Sequence, residues 1–308
     1  MKIDFTDRVA IVTGAGQGLG RTHALALAAR GAKLVINDLG GATDGTGGSM
    51  SLAQEVANEI IANGGEAIVS GANVANTEQV NEMIAQTMEK WGRIDILINN
   101  AGILRDKSFS KMEISDFQMV MDVHVMGSVN CTKAVWEIMK AQNYGRIVMT
   151  TSSSGMYGNF GQTNYGAAKA AVVGFMNTLC IEGAKYDIRV NALAPAAHTR
   201  MTEGLIPPEA LKLMTPESVS AGLVALVHDN APNRTILCAG AGGYARTIIY
   251  ETDGIYLTPE NQTPENIMAA FDQINDPTGQ VEMTQGFEQS QKFVEKAMKS
   301  MKVKAAKG

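Results

Sequence analysis

The sequence predicts an α/β protein built on a parallel β-sheet, and three observations lead to that prediction. Short apolar runs rich in β-branched residues recur along the first part of the chain, and segments with helical periodicity separate them. These runs are continuous rather than alternating, which is typical of strands buried on both faces. All eight prolines lie at or after Pro195, so the alternating part has no proline interruption. Strands separated by helices indicate βαβ units.

The predicted elements follow one another in a regular order, with no internal repeat. The strands are RVAIVT (8–13), KLVIND (33–38), EAIVSGA (66–72), DILINN (95–100), GRIVMTT (145–151), RVNALA (189–194) and TILCAGAG (235–242). The helices are predicted near 18–30, 50–63, 77–91, 115–142 and 164–185. We expect one domain over 1–250. We expect residues 251–308 to form an extension with helices over 263–275 and 284–302.

Composition restricts the class of partner. The 308-residue chain has a formal net charge of −5, so it has no surplus of positive charge to hold a nucleic-acid backbone. The start of the chain lacks an apolar signal region, and no apolar run approaches the roughly 18 residues that span a bilayer. The three cysteines are widely spaced, with no CxxC pair. We therefore expect a cytoplasmic protein that binds no membrane, no nucleic acid and no metal.

A glycine-rich turn directly follows the first predicted strand. TGAGQGLG spans 13–20 and opens a predicted helix. Glycines at such a turn let backbone amides approach a pyrophosphate at the helix N-terminus. The spacing of Gly14, Gly18 and Gly20 differs from the GxGxxG of the commonest dinucleotide fingerprint. A plain flexible turn therefore remains the alternative interpretation.

Asp38 ends the second predicted strand, about 20 residues further on, where dinucleotide-binding folds carry an acid. Its carboxylate can accept hydrogen bonds from the ribose hydroxyls of the adenosine and would repel a 2′-phosphate. Gln17 and Leu39, the neighbouring candidates, offer no cation for that phosphate. The pattern favours NAD over NADP, and a turn or cap role for Asp38 is the alternative.

The segment SSSGMYGNFGQTNYGAAK (152–169) contains two tyrosines and one lysine. Tyr165 precedes Lys169 by four residues, so the two share a helix face, whereas Tyr157 cannot pair locally with the lysine. Exchange between an alcohol and a ketone needs a proton donor or acceptor at the oxygen, and free tyrosine, with a pKa of about 10, is a poor base near neutrality. We expect the ammonium of Lys169 to lower the pKa of Tyr165 by about 1 to 3. A chance pair in a small-residue helix is the alternative.

Three motifs occur in order: TGAGQGLG at 13–20, NNAG at 99–102 and YGAAK at 165–169. Each is loose alone, but the ordered set resembles the short-chain dehydrogenase/reductase family over about residues 5–250. The resemblance implies a Rossmann-type, doubly wound sheet of seven parallel strands, here with a C-terminal helical extension.

The resemblance also implies site residues. The family's serine lies 13 residues before its tyrosine, so the implied catalytic residues are Ser152, Tyr165 and Lys169. The implied cofactor-binding residues are Gly14, Gly18, Leu19, Gly20, Asp38, Asn73, Val74, Asn99, Ala101, Gly102, Tyr165, Lys169 and Thr199. His124 is a further catalytic candidate, since it stands where the family usually has an asparagine that kinks a helix and holds a water in a proton relay. A relay role and simple packing both remain open for His124.

Several stretches resemble one subgroup of the family more than its average. They are VINDLGG (35–41) with the glycine-rich insertion after it, NNAGILRDKSF (99–109), GRIVMTTSSSGMYGNFGQTNY (145–165) and CAGAGGYA (238–245). The subgroup is the (3R)-hydroxyacyl-CoA dehydrogenase unit of peroxisomal multifunctional enzymes of type 2. It implies oxidation of a (3R)-3-hydroxyacyl-CoA to the 3-oxoacyl-CoA with NAD. A dehydrogenase for a steroid or another secondary alcohol, and a non-catalytic nucleotide-binding scaffold, are the alternatives.

The substrate contacts and the assembly are expected from weaker signals. Arg105, Lys107 and Arg246 are candidates to meet CoA phosphates, and the loop 199–214 is a candidate lining of an apolar channel. Family members commonly pair through the two long helices that correspond to 115–142 and 164–185. Because these helices carry apolar residues on more than one face, we expect a homodimer or a homotetramer. The resemblance places the C-terminal extension near the dimer interface and the substrate.

Overall fold

A computed structural model of the chain describes residues 3–196, 209 and 212–305, with side chains as far as 302. The chain forms two compact units, Met1–Arg246 and Thr247–Gly308. No helix within the described ranges is long and apolar enough to cross a membrane.

One sheet forms the centre of the first unit. Its strands are β1 (Val9–Thr13), β2 (Lys33–Asn37), β3 (Ala67–Ser70), β4 (Ile96–Asn99), β5 (Gly145–Thr150), β6 (Ile188–Ala196), β7 (Ile236–Gly240) and β8 (Gly243–Thr247). They lie in the order β3-β2-β1-β4-β5-β6-β7-β8, and the pairs from β3 to β7 are parallel. The chain winds in opposite directions from β1 and from β4. The predicted doubly wound, Rossmann-type fold is therefore confirmed, and its topological switch point lies between β1 and β4, where such folds bind ligands at the carboxyl ends of the strands.

The eighth strand is a difference from the predicted seven. β8 follows β7 after only Ala241 and Gly242, whose φ angles are 50° and 78°. Positive φ at both central residues is the geometry of a two-residue hairpin turn. The sequence indicated no separate strand there, because β8 is almost wholly exposed and lacks the apolar run that marks the buried strands.

Helices cover both faces of the sheet. They are α1 (Gly18–Ala28), α2 (Ser51–Ala62), α3 (Thr77–Trp91), α4 (Ile114–Met121), α5 (Gly127–Gln142), α6 (Ser153–Tyr157), α7 (Thr163–Gly183) and α8 (Pro216–Val227). Side chains of β1 alternate between two cores. Ala10 and Val12 pack with α1, α2 and α8, whereas Ile11 packs with α3, α5 and α7. Burial on both faces explains the continuous apolar runs of the central strands.

The predicted helix over 115–142 is interrupted near its middle. A π turn over Asp122–Met126 joins α4 directly to α5, and His124 lies on this turn. The hydroxyl of Ser128 donates a hydrogen bond of 2.7 Å to the His124 carbonyl. A π turn widens the helix by one residue and redirects the side chains that it carries.

The apolar residues that suggested a partner surface mostly fill the core of this chain. Those buried in it are Val135, Met139, Val172, Met176 and Leu179. Val123 and Phe175 pack against the same core. The argument from apolar residues on more than one helix face is wrong for these positions. Besides the sheet, α5 packs against α3, and α7 packs against α4 and α6, so more than one face of each helix is buried within this chain. The homo-oligomer stays a prediction.

The second unit consists of short elements and one long helix. These are α9 (Pro264–Ala269), α10 (Phe271–Ile274) and α11 (Gly286–Ala305), so the helix predicted over 263–275 is two short helices. Lys292 pairs with Glu251, and the ammonium of Lys296 lies 2.7 Å from the Asp253 carboxylate. Lys292 and Lys296 therefore attach α11 to the start of the unit.

Candidate active site

Ser152 and Tyr165 meet at the carboxyl end of the sheet. Ser152 is the residue before α6, and its hydroxyl accepts a hydrogen bond of 3.2 Å from the Ser154 N–H. Tyr165 lies in the first turn of α7 and forms a side-chain hydrogen bond with Ser152. Lys169 follows one turn later, with its ammonium 5.4 Å from the centre of the Tyr165 ring. The structure thus brings the three implied catalytic residues together.

Lys169 is buried beneath this pair. Its side chain is 4% exposed, and its ammonium donates a hydrogen bond of 2.6 Å to the Thr150 carbonyl. Burial lowers the pKa of Lys169 to about 7, because the charged form is removed from water. Gly155 allows this close packing, since a Cβ there would lie 2.7 Å from the Lys169 carbonyl carbon.

The acidity of Tyr165 differs from the expectation. Burial raises the pKa of Tyr165 to about 12, the hydrogen bond from Ser152 opposes this, and the charge of Asp106 adds to it. The expectation that Lys169 lowers this pKa is wrong for the chain without a bound cofactor. Burial disfavours the charged form of both side chains, so the lysine has itself lost part of its charge near neutrality.

His124 packs directly against the tyrosine. The two rings meet edge to face, with centres 5.3 Å apart and planes at 88°. His124 Nε2 lies 3.1 Å from the Ile103 nitrogen and 2.8 Å from its carbonyl oxygen, while Nδ1 is buried with no partner among the described residues. Burial, with the nearby charge of Lys169, holds the pKa of His124 well below its usual value. Its imidazole is therefore neutral, with one nitrogen unused.

The glycine-rich turn has the strand–turn–helix geometry that its sequence predicted. Gly14 and Gly18 have φ angles of 63° and 54°. A Cβ on Gly20 would lie 2.0 Å from the Gly14 carbonyl oxygen, and a Cβ on Gly14 would lie 2.9 Å from the Ala101 Cα. Only glycine fits at these positions, so the turn packs tightly on the NNAG segment.

Two residues that the sequence reasoning missed join these motifs. The Thr13 hydroxyl accepts hydrogen bonds of 3.0 Å from the N–H groups of Asn100 and Ala101. The Asn100 amide donates to the Thr13 and Gly14 carbonyls at 2.9 and 3.1 Å. Both residues stand inside the quoted motifs, at the first position of TGAGQGLG and the second of NNAG. That placement was the signal available.

Asp38 directly follows β2 and faces the turn. Its two carboxylate oxygens accept hydrogen bonds of 2.7 Å from the N–H groups of Gly16 and Gly40. A Cβ on Gly16 would lie 2.8 Å from the carboxylate, so the glycine makes this approach possible. Each oxygen keeps a lone pair for a further donor. The glycine turn and this acceptor fit the phosphates and ribose of a dinucleotide.

The remaining cofactor candidates mainly support the surrounding loops. Asn99 donates to the Thr132 hydroxyl at 3.1 Å, and the Asn73 side chain accepts the Ala75 N–H at 3.0 Å. Val74 is buried, and Leu19 packs against the core of α1. A Cβ on Gly102 would lie 2.3 Å from His124 Cε1, so this glycine makes room for the imidazole. Thr199 lies outside the described residues.

Arg105 and Lys107, which were expected to contact CoA phosphates, are already paired with a carboxylate. Arg105 forms an ion pair of 2.7 Å with Asp116, and Lys107 reaches the same carboxylate at 3.2 Å. These pairs hold the pKa of Asp116 below its usual value. The candidate channel loop 199–214 lies mostly outside the described residues. Among the described residues, no group of three or more His, Cys, Asp or Glu side chains could hold a metal ion.

Comparison with known proteins assigns the chain to a family. Residues 8–209 match the family described as short chain dehydrogenase. This chain is a member of the short-chain dehydrogenase/reductase family. Mouse peroxisomal multifunctional enzyme type 2 is 44% identical over 275 residues, which cover 88% of this short-chain dehydrogenase/reductase and 37% of the mouse enzyme.

Solved structures agree with this assignment. Full-length peroxisomal multifunctional enzyme type 2 from Drosophila melanogaster superposes with a TM-score of 0.80 at 34% identity, over 95% of this chain and 50% of that one. A 7α-hydroxysteroid dehydrogenase complexed with NADH and 7-oxo glycochenodeoxycholic acid gives a TM-score of 0.69 at 27% identity, over 78% of this chain and 95% of that one. The chain therefore spans half or less of these two multifunctional enzymes. As a short-chain dehydrogenase/reductase it is an oxidoreductase of small molecules.

Proposed function

We propose that this short-chain dehydrogenase/reductase oxidises a (3R)-3-hydroxyacyl-CoA to the 3-oxoacyl-CoA with NAD. The observation that carries the reaction is the meeting of Ser152, Tyr165 and Lys169 beside the glycine-rich turn. The substrate class is supported by the subgroup motifs and by the likeness to peroxisomal multifunctional enzyme type 2.

The chain's own residues would handle the proton of the substrate alcohol. Tyr165 receives this proton at its phenolic oxygen, and the Ser152 hydroxyl donates a hydrogen bond that holds the substrate oxygen against it. Bound NAD would supply the acceptor for the hydride from the alcohol carbon, and its positive ring would favour a phenolate at Tyr165. Lys169, with a pKa of about 7, can carry a proton away near neutral pH. A positioned acid–base group of this kind contributes roughly 10²- to 10⁴-fold.

His124 is proposed to take part in this proton transfer. The neutral imidazole touches Tyr165, and its buried Nδ1 has no partner among the described residues. This nitrogen accepts or donates a hydrogen bond according to the tautomer, because Nε2 lies near both the N–H and the carbonyl of Ile103. A buried polar atom without a protein partner is usually satisfied by an ordered water or a ligand hydroxyl.

The test of the proposed function is a turnover screen. The full chain is incubated with NAD and a panel of (3R)-3-hydroxyacyl-CoA chains, a bile-acid 7α-alcohol and simple secondary alcohols. We expect the highest kcat/KM for a 3-hydroxyacyl-CoA. A steroid preference is the second candidate, favoured by the likeness to 7α-hydroxysteroid dehydrogenase, and a higher kcat/KM for the bile acid would replace our proposal with it. NAD binding without turnover of any alcohol would favour a scaffold.

Asp38 is expected to set the preference for NAD. Asp38→Ala removes a carboxylate that would repel the 2′-phosphate, so the ratio of kcat/KM for NAD to that for NADP should fall by about tenfold or more. Asp44→Ala is the matched control, because Asp44 lies in the same loop and also accepts a backbone N–H, from Thr46 at 3.0 Å. Steady-state kinetics with both cofactors measure the ratio. A wild-type protein that prefers NADP would contradict this role of Asp38.

We further propose a homodimer or homotetramer that uses the outer face of α7. Ile181 on this helix is 52% exposed, as is Ile61 on α2. Ile181→Lys should shift the assembly toward the monomer, because a charge would be buried without a partner, whereas Ile61→Lys should not. Light scattering of the wild type and both variants measures the mass. A monomeric wild type would contradict the proposal. A cytoplasmic location and an extension beside the substrate stay predictions.

A further inference from the structure

We propose that Gln162 is a positioning residue whose side-chain amide holds Ser152 and Tyr165 in their relative places, and that Asp106 orients this amide. The inference rests on the proposed function, because the two residues that it positions are those to which the proton transfer is assigned.

Gln162 stands at the junction of three segments. It is the last residue before α7, three residues before Tyr165, and its carbonyl accepts the Gly166 N–H at 2.6 Å. The loop after β4 approaches from one side with Asp106. Helix α6, which follows β5, approaches from the other with Ser154. Asp106 and Ser154 thus reach the same amide from two parts of the chain.

The amide's bonding determines its orientation. Gln162 Oε1 accepts hydrogen bonds from the Ser154 hydroxyl at 2.7 Å and from the Asn159 amide at 3.1 Å. Gln162 Nε2 donates to an Asp106 carboxylate oxygen at 2.6 Å. An ionised carboxylate can only accept. A flipped Gln162 amide would place its oxygen against the Asp106 carboxylate, so Asp106 selects one orientation. The Ser154 hydroxyl and the Asn159 NH₂ donate to the oxygen that this orientation presents.

The bonded amide closes a ring with the reacting groups. Ser154 receives its position from Gln162, and its N–H donates to the Ser152 hydroxyl at 3.2 Å. Ser152 in turn bonds the Tyr165 side chain, and three residues of backbone lead from Tyr165 back to Gln162. Displacing the amide therefore changes the distance between the serine and tyrosine hydroxyls, even though Gln162 itself contacts neither.

Other bonds hold the same segments together when the amide is lost. The Asn164 side chain donates to the Arg105 carbonyl at 2.9 Å, and the Lys107 N–H donates to the Gly161 carbonyl at 2.9 Å. A variant of Gln162 should thus fold with a looser site.

The titratable groups that face Tyr165 are Lys169 on α7, His124 on the π turn and Asp106.

The experiment compares Gln162→Ala with Gln142→Ala in the full chain. Gln142 bridges the N–H and carbonyl of Ile94 at 3.0 and 2.7 Å, at the opposite end of the sheet. We expect Gln162→Ala to lower kcat about tenfold or more, since small misplacements of reacting groups cost this much. Its Kd for NAD, from fluorescence titration, should stay within about twofold. Gln142→Ala should change neither.

A second readout does not depend on turnover. Hydrogen–deuterium exchange of the cofactor-free protein should be about tenfold faster in the 152–158 peptide of Gln162→Ala and unchanged there in Gln142→Ala. The double variant Asp106→Asn/Gln162→Glu restores a donor opposite an acceptor, and it should recover most of the lost kcat and the exchange protection.

The outcomes separate this inference from the proposed function. Unchanged exchange in Gln162→Ala, a kcat within twofold of wild type, or a double variant no better than Gln162→Ala would overturn the role of Gln162. A wild-type protein that does not oxidise 3-hydroxyacyl-CoA but oxidises another alcohol would contradict only the proposed substrate class. The kcat of the variants would then be measured with that alcohol. If no alcohol is oxidised, the exchange data alone decide the positioning role.

Discussion

Replacing Tyr165 by phenylalanine is expected to lower kcat by about 10²-fold or more while NAD binding stays nearly unchanged. The substitution removes only the hydroxyl that exchanges the alcohol proton, and the ring keeps its edge contact with His124. The Ser152 hydroxyl cannot replace it as a base, because an aliphatic hydroxyl is a far weaker acid than a phenol. Steady-state rates and an NAD titration of the full chain measure the two quantities.

Tyr157→Phe is the matched control for this prediction. Tyr157 lies in the same segment but is 71% exposed at the end of α6. Removing its hydroxyl should therefore leave kcat within about threefold of wild type. A Tyr165→Phe enzyme that keeps a third or more of the wild-type rate would contradict the assignment. So would a Tyr157→Phe enzyme that loses as much as Tyr165→Phe.

Replacing Lys169 by methionine is expected to remove a large part of the pH dependence of stability in the cofactor-free protein. The folded pKa of Lys169 is about 7, against 10.5 for the exposed side chain. Between these values the unfolded chain binds one proton more than the folded chain, so the free energy of unfolding rises with pH. From pH 7 to 9.5 this single lysine contributes a rise of about 3 kcal/mol. Below about pH 6 both states are protonated and the contribution is flat.

Urea unfolding at several pH values between 6 and 9.5 measures this effect. The difference in unfolding free energy between wild type and Lys169→Met isolates the lysine, because every other titrating group is common to both proteins. Lys133→Met, at an exposed position on α5, should keep the wild-type slope. Parallel slopes for wild type and Lys169→Met would show that Lys169 titrates as in water and would contradict its burial.

Local patterns were enough to predict much of the fold and the site. The alternation of apolar runs and helical segments indicated βαβ units, and the continuous apolar runs indicated strands buried on both faces. Together they predicted the parallel sheet that the structure shows. The glycines of the first turn could be recognised in the sequence because the turn needs them: a Cβ at Gly20 would have no space. The spacing of Tyr165 and Lys169 was readable because helical periodicity alone places them on one face. These signals depend on contacts within a few residues or on a repeated period.

Other features depend on contacts between segments far apart in the chain, and only the tertiary structure decided them. Gln162 meets Asp106 across 56 positions, and no local pattern marks either residue. The pKa values of Tyr165 and Lys169 have the same origin, because burial is set by the whole fold and here outweighs the charge that the local pair supplies. By itself the sequence determined the seven parallel strands, most of the long helices between them and which residue types could react. The packing of those segments decided how close the side chains lie and how readily they ionise, because both quantities depend on the exclusion of water by distant parts of the chain.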